Sequence, residues 1–414
     1  MQSSDTKFRF IPFRRADIVE MCLRDGDLGE AQNEFRQFAH MLAQIFHFEF
    51  HGVLEALKNS YSDLDPDIDT RRVEIDSAAG FESDPRSFVE LLDGLLEKAN
   101  YERISEAELN QALTESSLFK IRLHVDFDDF TEVSLFARGQ SLRRETLSTW
   151  FGLRSRRIEF VNYDRVVVYL KIRDDYEAAA LEHSHCRAGA TLLKLFRNVP
   201  RADLEMLFPN TSVRMRWMDK LFIGVPALVS GGIVLSTKLG ASLVLLGSLF
   251  GYWLGWHDQP TELNQARVMI LLAGAAALVG YMWKQFNSFK NRKIRFMQAL
   301  TQNLYFRNLD NNAGVFHRLV NDAEDEESKE ALLAYYFLLL SPLPLAKEEL
   351  DRKIEDWFES NWDCRIDFEI EDALQKLCGL GLVEASAAGL TAVATKDAIR
   401  LLDQRWDNYF VPEN

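Results

Sequence analysis

The chain has 414 residues, 47% hydrophobic and 27% charged, with a mean hydropathy of −0.17. That balance suits water-soluble parts carrying a short membrane insert and excludes a transporter built mostly of membrane helices. The net charge is −15, with 30 Lys and Arg against 38 Asp and Glu in residues 1–220 and 15 against 23 in residues 285–414. Nucleic acid is thereby excluded as a general partner, because phosphate binding needs a basic face.

The four cysteines, Cys22, Cys186, Cys364 and Cys378, form no CxxC pair. Their spacing predicts neither a disulfide framework nor a zinc site, and suits a reducing compartment. The first 20 residues hold acids and no apolar stretch of signal-peptide length, so a bacterial cytoplasmic-side start is expected.

Residues 13–120 read as mostly helical, with Phe35, Phe38, Met41, Leu42 and Ile45 at helical spacing, then Phe88, Leu91, Leu92, Leu95 and Leu96. The acidic stretch Ser60–Asp84 between them reads as a loop. From Lys120 the period changes to two: FKIRLHVDF, FTEVSLFARG, RRIEFVN and DRVVVYLKIR alternate as half-buried strands do. A small antiparallel sheet packed on helices is expected. Between two of these strands, Gly139–Arg157 interleaves Arg143, Arg144, Arg154, Arg156 and Arg157 with Trp150 and Phe151. Such a segment lies on an anionic membrane surface or forms a solvated, partner-binding loop.

Three uncharged apolar runs follow, Leu221–Thr237, Leu239–Trp256 and Val268–Trp283, each near the lower limit for crossing a bilayer. Aromatic residues near their ends, Trp253, Trp256, Tyr281 and Trp283, favour membrane helices over buried core helices. Arg214, Arg216 and Lys220 precede the runs, and Lys284, Lys290, Arg292, Lys293 and Arg295 follow. Both flanks are therefore expected on the cytoplasmic side, with the loop 257–267 outside. Two net crossings satisfy this, and three would separate the soluble parts. Lys238, between the first two runs, is a candidate functional intramembrane charge.

Around these runs stand FIPFRRADIV (10–19), the segment 192–226 with its specific run FRNVPRADLEMLFP (196–209), and LYFRNLDNNAGVFHRLVNDAEDEESKEALLAYYFLL (304–339). Together they resemble the bacterial and organellar family that includes transmembrane protein 143. The resemblance implies a multi-pass membrane protein, mitochondrial in animals, with no established activity and no catalytic residues to carry over. Read physically, Asp203 caps a short helix ADLEMLF, Asp310–Asn312 is a turn between helices, and the acidic run Asp322–Glu327 precedes an apolar helix Ala331–Leu340.

Residues 346–414 read as helix, helix, hairpin, helix, the order of a winged helix. The would-be recognition helix carries Glu369, Glu371 and Asp372 against Lys376, which suits a protein contact and not DNA. His47 and His51 stand four apart without the metalloprotease glutamate, and neither they, the cluster His183, His185, Cys186, nor Asp126, Asp128, Asp129 makes a convincing metal site. No phosphate loop, dinucleotide fingerprint or nucleophile elbow is present.

The expected architecture is α+β with a membrane insert. It comprises an N-terminal α+β domain (1–219), a membrane region (220–284), a helical connector (285–345) and a winged-helix-like domain (346–414). The expected function is that of an oligomeric interaction or regulatory protein in a bacterial inner membrane, or a mitochondrial membrane if organellar. Its soluble parts would face the cytoplasm, with the bilayer, other copies of itself and a protein partner of the C-terminal domain as contacts. A channel or small transporter is the alternative and an enzyme is least favoured; no cofactor, metal or catalytic residue is assigned.

Overall fold

The computed structural model describes residues 7–24, 28–67, 85–114, 122–149, 154–176, 188–214, 240–254 and 264–409. In chain order these form α1 (Arg15–Arg24), α2 (Gln32–Tyr61), α3 (Pro85–Lys98), β1 (Glu102–Arg103), α4 (Glu106–Thr114), β2 (Arg122–His124), β3 (Phe130–Thr149), β4 (Arg154–Ile172), β5 (Thr191–Pro200) and β6 (Ser212–Arg214). Then come α5 (Gly240–Trp253), α6 (Gln265–Arg307), β7 (Asn308–Asn311), α7 (Ala313–Leu340), α8 (Lys347–Trp362), α9 (Ile370–Gly379), β8 (Val383–Ser386), β9 (Gly389–Ala392) and α10 (Thr395–Asn408). The fold is mixed α+β, as the sequence predicts. Contacts divide it into two compact units, one of residues 1–115, 126–209 and 307–414, the other of residues 116–125 and 210–306.

The first unit holds an antiparallel sheet in the order β1-β3-β4-β5-β7. Val166, Val167, Val168, Tyr169 and Leu170 of β4 are all buried, so this strand is covered on both faces rather than alternating. The helices pack around α7. Phe35, Phe38, Leu42, Ile45 and Phe46 of α2 form its apolar stripe, where Phe38 stacks on Tyr335 at 4.0 Å between centroids. Tyr61, Phe88 and Phe316 meet at 5.0 to 5.8 Å and join α2, α3 and α7.

The entry to α7 turns on Asn312, which sits at a positive φ of 48°, uncommon for a residue other than glycine. At ψ −128° this lies outside the left-handed helical region, and side-chain and backbone bonds hold it: the Asn312 side-chain oxygen accepts from Leu193 N (3.1 Å) and the Tyr61 hydroxyl (3.1 Å), and its backbone N–H donates to Leu193 O. Those bonds tie the β7–α7 junction to β5.

Several local expectations change. Asn308–Asn311 is a strand paired with β5, not part of a turn between helices. The acidic run Asp322–Glu327 lies inside α7 and is mostly buried, because opposite charges from other elements meet it there. Residues 201–207 form a 3-10 helix in which Asp203 is buried, 3.9 Å from Arg307 Nη1, rather than an N-cap. RRIEFVN and DRVVVYLKIR are one continuous strand, and β3 and β4 run through most of Gly139–Arg157 as a ladder closing at Thr149↔Arg154.

In the second unit, β2 and β6 pair antiparallel. Of the apolar runs, 221–237 lies outside the described residues, 239–256 contributes the 14-residue α5, and 268–283 falls within the 43-residue α6. Ser242 Oγ of α5 donates to Ile270 O of α6 at 2.8 Å. Among the described residues, one helix is long and apolar enough to cross a membrane, Gln265–Ser288. The expectation of a multi-pass protein is thereby reduced to that single candidate span, since α5 is too short for the hydrocarbon thickness.

Candidate functional site

The most concentrated chemistry in the first unit is an ion network on α7. Residues 322, 326 and 329 recur at helical spacing and turn one face toward β3, β4 and the segment 10–13. Glu326, 1% exposed, accepts from Ile11 N (2.9 Å), Arg138 Nη2 (2.8 Å) and Lys329 Nζ (2.7 Å). Lys329, also buried, donates to Ile11 O (2.8 Å) and Phe13 O (3.1 Å) and lies 3.0 Å from Asp325. Asp322 meets Arg138 at 3.2 Å, contacts Arg165 and accepts from the Tyr101 hydroxyl at 3.3 Å. The Arg138 guanidinium stands 4.7 Å from the Phe10 ring centroid.

Three carboxylates thus face three cations. Burial and the neighbouring Asp322 hold the Tyr101 phenol well above its usual range. Glu330 follows on α7, where burial, then the Glu326 charge, raises its carboxyl well above the ordinary range, against an Asn100 hydrogen bond at 3.3 Å. A cleft of about 240 Å³ opens beside Phe10–Arg14 and this network. With each charge balanced, the arrangement clamps the N-terminal segment, the sheet and α7 together; it presents no free nucleophile or base.

A second cleft, of about 460 Å³, is lined by Phe46, Glu49, Lys98, Glu327, Asp372 and Lys376 among others. Lys376 contacts the buried Glu327 carboxylate and lies 5.7 Å from the Phe46 ring centroid. Burial, then the Lys98 charge, pushes the Lys376 amine down to about 7. The Glu327 carboxylate in contact with it opposes that shift and favours the charged amine.

The sequence-predicted basic segment sits elsewhere, on the far part of the β3–β4 ladder. Arg143 stands opposite Phe160, Arg144 opposite Glu159, Arg157 opposite Thr146, Arg156 opposite Leu147 and Arg154 opposite Thr149. Arg143 Nη2 donates to Asn198 Oδ1 at 2.8 Å and Arg144 pairs with Glu159 at 2.5 Å. Trp150, Phe151 and Lys238 lie outside the described residues, as does the cluster His183, His185, Cys186. His47 bonds Glu324 at 2.9 Å, and Asp126 accepts from Asp128 N at 3.3 Å to cap a short 3-10 helix. Among the described residues no group of three or more His, Cys, Asp or Glu could hold a metal ion.

Sequence reasoning missed Arg138, Arg165 and Tyr101 as partners of α7. The available signal was a charge within apolar strand text, Arg138 in LFARG. Its partner cannot be found from spacing, since Arg138 and Glu326 are 188 residues apart.

No solved structure matches this chain. The resemblance drawn from the segments at 10–19, 192–226 and 304–339 is corrected by comparison with known families, since nothing there points to a transmembrane protein 143-like family. What does match, over residues 163–314, is a family described as a protein of unknown function, DUF3754, a stretch that runs from β4 through α6 to the first residues of α7.

Proposed function

We propose that this chain is a membrane-anchored interaction or regulatory protein whose first unit lies on the cytoplasmic side of a bacterial inner membrane. The observation that carries this reading is α6. Its stretch Gln265–Ser288 has a mean hydropathy of 1.6 over its best window, of which 6% is buried. Leu272, Val279, Met282, Trp283 and Phe286 are each at least 60% exposed, a display that water disfavours and lipid does not. At about 1.5 Å per residue these 24 residues reach about 36 Å, enough for a hydrocarbon core of about 30 Å. Lys284 lies near the C-terminal end of this stretch and Lys290 just beyond it, on the side the positive-inside rule makes cytoplasmic.

α5 supports a second membrane element, packed on α6 through Ser242. The order α8, α9, β8–β9, α10 suits a winged-helix-like module. Its acidic helix α9, with Glu371 and Asp372 in the first turn, favours a protein partner over DNA.

A second reading, a channel or small transporter of oligomerised helices, is favoured by Gly240, Gly247 and Gly280. Among the described residues, nothing approaches within 4 Å of the position a Cβ would take at these glycines, leaving room for a neighbouring helix. Alkaline carbonate extraction of native membranes tests the anchor: the full-length chain should stay in the pellet, and its release to the supernatant would reject the reading. Ion flux in proteoliposomes separates the channel from the interaction protein.

A further inference from the structure

We infer that the distal β3–β4 ribbon is a docking arm for anionic phospholipid headgroups. The inference rests on the membrane-anchored reading above and adds a second, electrostatic contact to it. Within the sheet, β5 pairs with β4 only as far as Asn162↔Pro200, and β1 pairs with β3 only at Phe136 and Ala137. Beyond those points the ladder continues from Leu142↔Val161 to Thr149↔Arg154. Over these eight residues per strand, no other strand among the described residues covers either edge. At about 3.4 Å per residue the free ribbon is about 27 Å long.

Gly139 marks where it leaves the sheet. Its φ is +71°, and a Cβ there would stand 2.5 Å from Asp164 Oδ2, so the departure is built into the backbone. A two-stranded ribbon alone in water is marginally stable, which argues for a surface against which it rests.

Charge identifies that surface. Residues 139–161 carry five arginines against two glutamates, in a chain of net charge −15. Leu142, on this ribbon, is 65% exposed. Arginine-rich, aromatic-bearing segments bind lipid headgroups by charge, and each basic residue adds to the attraction. A chain tethered by one bilayer helix also meets that bilayer at high effective concentration. The acidic surface of a second copy offers the same sign of charge without that tether.

The test uses the full chain in nanodiscs, either of phosphatidylcholine alone or of phosphatidylcholine with about a third phosphatidylglycerol. Hydrogen exchange of the amides in 141–149 and 154–161 is the readout. Exchange should slow roughly tenfold or more in the anionic discs, lose that protection at high salt, and lose it in the triple variant Arg154→Gln, Arg156→Gln, Arg157→Gln. Exchange independent of lipid charge, in a chain that does enter both kinds of disc, would overturn the ribbon inference and leave the anchor standing. Protection that instead rises with the number of copies per disc, whatever the lipid, would overturn it in favour of a second copy. Should the chain enter neither disc, the anchor fails. Co-sedimentation with anionic but not neutral vesicles, lost in the triple variant, would then still support the arm, and equal or absent co-sedimentation would reject it.

Discussion

Two neighbouring helices, α6 and α7, break opposite halves of the usual rule for soluble proteins. α6 exposes apolar side chains over its first 24 residues, while α7 buries Asp322, Glu326, Glu327, Lys329 and Glu330. In water, the first arrangement leaves apolar area unburied and the second removes charges from solvent, a cost of several kcal/mol per ion. Each is resolved by a different partner. The charges of α7 find theirs within the chain, in Arg138, Arg165 and the backbone of Ile11 and Phe13. The apolar face of α6 has no such cover among the described residues, and in the function proposed above a bilayer supplies it. Burial alone therefore does not mark function; what matters is whether a side chain's requirement is met inside the molecule.

The sharpest way to break the comparison is to remove one charge from the α7 network. Glu326→Ala leaves Arg138 and Lys329 buried with one carboxylate each in place of two, and losses on breaking a buried pair run to about 3–5 kcal/mol. We expect a large drop in the urea midpoint of the detergent-solubilised chain, with its membrane fractionation kept. On α6 the pattern should invert. Leu272→Arg places a charge in the apolar stretch at a cost of about 2.5–3.5 kcal/mol for membrane insertion. It should reduce the pelleted fraction while leaving the urea midpoint of the first unit in place.

These contrasts were unevenly legible in the sequence. The apolar run at 268–283 was plain from composition, as were Lys347–Trp362 and the C-terminal hairpin from periodicity and turn residues. The length of α6 was hidden because its pattern changes at Lys284 from apolar to mixed while the backbone stays helical to Arg307. The burial of the acidic run in α7 is hidden from local spacing because its neutralising cations come from β3 and β4, far away in the chain. For the basic segment, arginines broke the strand alternation and suggested an excursion, whereas the cross-strand ladder holds them in register. Such pairings between distant segments are invisible to local spacing.

A smaller effect is expected at Gly139. Gly139→Ala sets a side chain at φ +71° against Asp164, strain worth about 1–3 kcal/mol. Faster hydrogen exchange in 141–149 and 154–161, with exchange in Val166–Leu170 unchanged, would show that this glycine governs the ribbon alone. The mildest prediction concerns Glu330. Its folded carboxyl titrates above its unfolded value, so between those two values the folded state holds more protons and stability falls as pH rises. Glu330→Gln, neutral throughout, should flatten that fall, and urea midpoints from about pH 5 to about pH 8 would reveal it. An unchanged slope would mean the carboxyl titrates alike in both states.

The passage of α6 through a bilayer can be read from two positions on either side of it. Single cysteines are placed at Gln259 and Ala387, in a background with Cys22, Cys186, Cys364 and Cys378 replaced by alanine, and intact cells are treated with an impermeant maleimide. The account predicts labelling at 259 and none at 387 until the cells are opened. Equal labelling of the two positions in intact cells, whether both or neither, would contradict the claim that α6 crosses the membrane.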